Sequence, residues 1–266
     1  MGRVKQDTRS EIIERAEERH YDTFAEHKTR RDVIASSRIP RRDIVLRAVR
    51  PVWEARGGSL GCIVDVGCGI GASAVYLNGH FDRYVGIDFS RGMIEIGRTF
   101  TAGIANVELI HANIKDASLP TGIADVVYMD GALHHMSNAV EVMQSLRRLA
   151  KPGAWFVARE PQRANPLIQL LRKLRMRIDP SYSSQQHFFS RSEIVTLLEA
   201  GGLEEVEARY QGYLTPPMAQ VVLNPQAIFA PLAQAIVALE GVAERIMIGP
   251  LAQLSWNITV YGRFPK

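Results

Sequence analysis

Residues 63–74 read IVDVGCGIGASA: an apolar run holding one acid, then glycines at 67, 69 and 71. Glycine takes positive φ without steric cost and lets backbone approach a ligand closely. Placed between a strand and a helix start, such a loop forms an open cradle suited to a nucleotide-like cofactor. Gly67, Gly69 and Ala72 also satisfy the loose G-x-G-x-x-A dinucleotide pattern. Three features point elsewhere. Asp65 stands inside the strand, two residues before Gly67, where a dinucleotide site normally has an apolar residue. A third glycine follows at 71. Further along come GALHHM (131–136) and LRRLAKPGAWF (146–156).

Outward from the loop, short β-rich runs alternate with helical stretches. CIVDV (62–66), RYVGID (83–88), VELIHA (107–112), DVVYMD (125–130) and AWFVARE (154–160) read as strands. Helices are expected after Gly71, over 91–102 and over 137–150. This alternation predicts a parallel sheet with helices on both faces. Its ligands then sit at the carboxyl ends of the strands, near the switch in strand order. LEEVEARY (203–210) and WNITVYGRF (256–264) are two further strands. Ahead of the sheet, residues 1–56 form a helical section, with Pro40 in the first turn of its second helix and Gly57-Gly58 ending it.

VDVGCGIG, GIDFSRGMIEIGR and LRRLAKPGAWFVARE resemble, in order and spacing, the motifs of the class I S-adenosylmethionine-dependent methyltransferases. The resemblance spans about residues 60–210 and returns at 256–264. It implies a Rossmann-like α/β fold, mostly parallel with an antiparallel last strand. Residues 1–56 would then be an N-terminal helical lid and 57–266 the cofactor-binding core. It also implies a site. Gly67, Cys68, Gly69 and Gly71 would line the methionine and ribose, and Phe89 and Met93 would flank the adenine. Asn113 and Ile114 take positions where the family often has an acid and a small apolar residue. Met129 and Asp130 would touch the methionine side. The chemistry agrees with this assignment. Asp88, at an exposed strand end, can accept both ribose hydroxyls through charge-assisted bonds. Asp65 can attract the ammonium of a methionine moiety, which a pyrophosphate cofactor lacks.

Methyl transfer from a sulfonium is a direct displacement, so positioning carries much of the catalysis. An acidic acceptor also needs a base, and His is the usual one near neutrality. His134 and His135 follow the fourth strand, at the mouth of the expected site. Tyr21 resembles the aromatic that these enzymes bring over the cofactor from an N-terminal lid. Glu160 and His187 are further candidates. No metal cluster is expected.

The 266 residues are 46% hydrophobic and 23% charged, ordinary for a globular enzyme. The formal charge of +4 is spread along the chain, which speaks against nucleic acid as a partner. The start, MGRVKQDTRSEIIER, has no signal-peptide core, and Cys62 and Cys68 make no disulfide framework, so a cytoplasmic location is expected. Residues 212–255 hold only Glu240, Glu244 and Arg245 as charges, and five prolines are expected to cut them into pieces too short to span a bilayer. With the N-terminal helices this insertion is expected to close over a small, apolar acceptor such as a secondary metabolite, quinone or lipid-like molecule. A homodimer interface and a peripheral membrane contact stay open. So do two rival functions, an NAD-dependent oxidoreductase and a non-catalytic cofactor-binding partner subunit.

Overall fold

The computed structural model describes residues 9–136, 139–178 and 188–266. Three helices come first: α1 (Arg9–Thr23), α2 (Ala25–Val33) and α3 (Ala35–Ala55). The core then runs β1 (Cys62–Val66), α4 (Ala72–Tyr76), β2 (Arg83–Asp88), α5 (Arg91–Thr101), β3 (Val107–His111), β4 (Ala124–Asp130), α6 (Ala139–Leu149) and β5 (Ala150–Pro161). It continues with α7 (Pro166–Ile178), α8 (Arg191–Ala200), β6 (Glu204–Gln211), α9 (Thr215–Ala219), α10 (Gln226–Ile246) and β7 (Asn257–Arg263).

The seven strands form one sheet in the order β3-β2-β1-β4-β5-β7-β6. β1 to β5 pair in parallel, and β7 is antiparallel to both β5 and β6. The expected architecture is therefore observed, with boundaries shifted by a few residues. The order reverses between β1 and β4, which opens a crevice at their carboxyl ends.

Strand alternation assigns each side chain to a face. Val64, Val66, Val127 and Met129 enter one buried cluster with Leu146 of α6 and Leu198 of α8. Ile63, Tyr84, Val126 and Tyr128 enter the other, with Val45, Val49 and Val52 of α3. Two expectations are corrected here. Met129 is fully buried on the first face, one residue out of phase with Asp130, so it packs in the core instead of reaching the site. α3 belongs to the core layer, so no boundary at residue 57 separates a lid from a core.

The prolines also act differently from expectation. α3 starts at Ala35, which leaves Pro40 inside the helix, and α10 continues through Pro231 for 21 residues. A proline this near a helix start forfeits a single backbone bond, to a carbonyl in the first turn. α10 is consequently long and apolar enough, by length and composition, to cross a membrane. The buried Glu240 carboxylate ties it to the fold, accepting the backbone N–H groups of Tyr213, Leu214 and Thr215 at the start of α9.

Candidate active site

The glycine loop is stitched to the next strand. Gly67 N and Cys68 N donate to Ile87 O at 2.8 and 3.2 Å. Gly69 N donates to Asp88 Oδ2 at 2.7 Å, and Ser90 N donates to Asp88 Oδ1 at 2.8 Å. Asp88 is thus a buried clamp between two loops, where an exposed strand end was expected. Burial raises its pKa to about 6 against the two backbone donors. Each carboxylate oxygen still has a second lone pair. Gly67, Gly69 and Gly71 all have positive φ, and Gly71 caps α4.

Asp65 is 1% exposed and borders the same cavity. Its Oδ2 accepts the Tyr84 hydroxyl, while its Oδ1 is buried with no hydrogen-bond partner. Burial pushes its pKa up to about 7. An orphaned buried carboxylate oxygen is costly unless a donor or cation reaches it. Together with an open backbone at Gly69, where nothing lies within 4 Å of an added Cβ, this fits a cofactor carrying an ammonium and vicinal hydroxyls.

The cavity above this floor measures about 1170 Å³. That is above the usual range of about 300–1,000 Å³ for a ligand pocket and leaves room for more than one small molecule. Phe89, Met93, Asn113 and Ile114 line one side. Met93 packs with Ala25 and Ile70 beneath Tyr21. Asn113 Oδ1 accepts Lys115 N at 3.0 Å in its own turn. Cys68 lines the floor, and burial pushes its thiol pKa well up, so it stays protonated.

On the other side, a 3-10 turn (Leu133–His135) follows β4 and carries both histidines. Glu160, at the end of β5 and fully buried, holds this turn from behind. Its carboxylate accepts Leu133 N at 2.9 Å and lies 2.6 Å from His134 Nδ1. Burial lifts its pKa to about 7, opposed chiefly by the Leu133 N–H. Glu160 does not line the cavity, so it positions His134 and touches no ligand there.

His135 is gripped from the N-terminal helix. The Tyr21 hydroxyl lies 2.8 Å from His135 Nε2, and Glu17 Oε2 lies 2.8 Å from its Nδ1. Tyr21 also meets Phe89 edge-on, with ring centroids 6.0 Å apart. Glu17 went unnoticed in the sequence, although it precedes Tyr21 by four residues and so shares its helix face. His187 lies outside the described residues.

The remaining wall joins charge to apolar surface. Asp130 pairs with Arg159, and Asp32 accepts both Arg41 Nε at 2.5 Å and the Tyr76 hydroxyl at 2.9 Å. Pro216, Pro217, Val221 and Val222 from the insertion complete it, with Trp256. The covering role expected of 212–255 thus falls on its first part, and no residue of α10 lines the cavity.

Residues 64–158 match the methyltransferase domain family. This segment is a class I S-adenosylmethionine-dependent methyltransferase domain. Its curated relatives include a demethylmenaquinone methyltransferase of Clavibacter sepedonicus, 32% identical over 48% of this chain and 49% of that one. Another, from Bacillus licheniformis, is 26% identical over 54% of this chain and 71% of that one. The chain spans about half the length of the first of these. Among solved structures, a Thermotoga maritima S-adenosylmethionine-dependent methyltransferase, described as a possible histamine N-methyltransferase, superposes with a TM-score of 0.63. It is 16% identical, and the match covers 92% of this chain and 98% of that one. Phosphoethanolamine N-methyltransferase 2 of Haemonchus contortus gives 0.60 at 13% identity, over 98% of this chain and 61% of that one. At these identities the likeness establishes the fold of the methyltransferase domain and its helical additions, and nothing about the acceptor.

Proposed function

We propose that the chain transfers a methyl group from S-adenosylmethionine to a small lipophilic acceptor of the quinone type. The observation that carries this reading is the cavity's split character. A carboxylate floor of Asp65 and Asp88 lies under the glycine loop, and a His135–Tyr21 pair faces a partly apolar chamber. When bound, the cofactor supplies a methyl carbon activated by a sulfonium. The chain's own residues do the rest. Asp65 Oδ1 receives the ammonium, and the free lone pairs of Asp88 accept ribose hydroxyls. Phe89, Met93 and Ile114 flank the adenine, and Asn113 meets its edge.

On the acceptor side, a hydroxyl proton passes to His135 Nε2, directly or through the Tyr21 hydroxyl. Glu17 beside Nδ1 favours the proton on that nitrogen and stabilises the imidazolium, so Nε2 is the accepting atom and the Tyr21 hydroxyl beside it is its donor. Pro216, Pro217, Val221, Val222 and Trp256 supply the apolar wall. The quinone class is favoured by the names of the relatives together with that wall. Two unpaired thiols suit a reducing, cytoplasmic setting.

Calorimetry with S-adenosylhomocysteine and with NAD tests the cofactor. Binding of NAD alone would sink the reading. Isotope-labelled S-adenosylmethionine incubated with a lipid extract then identifies the acceptor by mass spectrometry. Tight S-adenosylhomocysteine binding with no labelled product from any extract would favour a non-catalytic subunit.

A further inference from the structure

α10 presents Ile228, Leu232, Ala235, Leu239, Val242 and Ile246 to solvent, spaced alternately four and three residues apart. That spacing keeps all six on one stripe of the helix, about 27 Å long at 1.5 Å per residue. Ile228 and Ile246 are each 61% exposed and Leu239 55%. The apolar surface continues past the helix end through Ile248, Leu251 and Leu254. The Leu254 carbonyl accepts Asn165 Nδ2, next to the start of α7, where Leu170 and Leu171 are also exposed. Monomeric soluble proteins rarely expose a continuous apolar patch of this reach without a partner for it.

Charge narrows the partner. The acids of α10 face inward: Glu240 is fully buried on the start of α9, and Glu244 pairs with Arg47 of α3. Among the described side chains of α7, α10 and the Gly249–Leu254 turn, the exposed charged residues are Lys173, Arg177 and Arg245, all basic. A symmetric dimer brings a patch against itself, so its cationic rim would meet the same charge. An anionic bilayer surface matches both the rim and the apolar stripe. The patch also reaches the cavity mouth, because Leu171 and Val221 both line the cavity and are 42% and 45% exposed.

We propose that α10, the turn after it and the start of α7 form a docking surface that lays the protein on an anionic lipid bilayer, with the cavity mouth at the interface. α10 lies in the plane of the headgroups and does not span, because Glu240 and Glu244 hold its inner face to α9 and α3. The role of the surface rests on the proposed lipophilic acceptor, which partitions into the same bilayer. Its existence does not.

Co-sedimentation with vesicles of phosphatidylcholine and phosphatidylglycerol, and of phosphatidylcholine alone, tests the surface. The full chain is expected to pellet with the anionic vesicles, and salt should weaken the binding. Leu239→Asp and Ile246→Asp should each reduce partitioning more than about tenfold. Lys173→Glu with Arg177→Glu should remove the preference for anionic lipid. Unchanged circular dichroism and S-adenosylhomocysteine affinity verify that each variant is folded. The proposal is overturned if the wild-type chain stays in the supernatant, or if it pellets equally well with either aspartate in the stripe. It is equally overturned if light scattering gives a dimer that Leu239→Asp splits without any vesicle binding. A chain that pellets but binds no S-adenosylhomocysteine would refute the proposed function and leave the docking surface standing.

Discussion

Adding one methyl group at Gly67 and at Gly69 should separate fold from function two residues apart. Both positions have left-handed backbone, with φ of 75° and 55°. An L side chain there costs about 1–2 kcal/mol. At Gly67 the new Cβ would lie 2.5 Å from the Ala132 Cβ, so the loop or the start of the histidine turn must move. Overpacking of this kind adds about 1–3 kcal/mol. Gly67→Ala should therefore lose about 2–5 kcal/mol of stability, or about 4–20 °C in melting temperature for a chain of this size. At Gly69 nothing lies within 4 Å, so only the backbone cost remains, about 2–8 °C. Gly69 lines the cavity floor, and a methyl group there would occupy space assigned to the cofactor. Gly69→Ala should thus weaken S-adenosylhomocysteine by more than about tenfold, a loss above 1.4 kcal/mol. Differential scanning fluorimetry and calorimetry on the two variants provide the comparison. If Gly69→Ala binds like wild type, or melts as low as Gly67→Ala, the loop has been assigned the wrong way round.

Asp65→Asn should weaken S-adenosylhomocysteine by about 1.5–3 kcal/mol, the worth of a hydrogen bond to a charged group, while the ligand-free protein melts no lower. Calorimetry showing unchanged affinity would remove Asp65 from the ammonium site. Asp65 and Glu160, raised to about 7, and Asp88, raised to about 6, bind more protons folded than unfolded, where carboxylates titrate near about 4. Ligand-free stability should therefore fall as pH rises from about 4 to about 7, and urea midpoints that rise over this window would contradict the burial of these groups. His135→Ala should lower turnover by about 10²–10⁴ with little change in cofactor affinity. His134→Ala should instead lower the melting point by leaving Glu160 short of a partner, and a fully active His135→Ala would leave positioning alone as the catalytic device.

The sheet and the floor of the cavity were legible because they rest on local rules. Period-two burial, glycine at positive φ and helices between parallel strands each leave a mark within a few residues. Asp65 and Asp88 stood out for the same reason, as acids in otherwise apolar runs. What the sequence hid depends on partners far along the chain. Glu17 meets His135 across more than a hundred residues, and Glu160 holds a turn that belongs to another strand. Met129 was misplaced by a single step of phase, since adjacent residues on a strand face opposite ways. Read alone, Pro40 looks like a helix start and Pro231 like a break. In the fold, each sits in a helix whose packing outweighs one missing bond.

α3 bears on how such an enzyme changes its acceptor. One edge of α3 fills the core under β1 with Val45, Val49 and Val52, and another carries Ser36 and Arg47 against the insertion. The helix therefore belongs at once to the layer packed on the sheet and to the part of the molecule that walls the cavity. A chimaera cut at the glycine pair after α3 would import a foreign core face together with the desired lid and would fold poorly. Cutting between α2 and α3 would keep the core intact but separate α1 and α2 from a chamber wall built to match them. New acceptor preferences in this scaffold are more readily reached by single replacements along 216–224 than by exchange of whole segments.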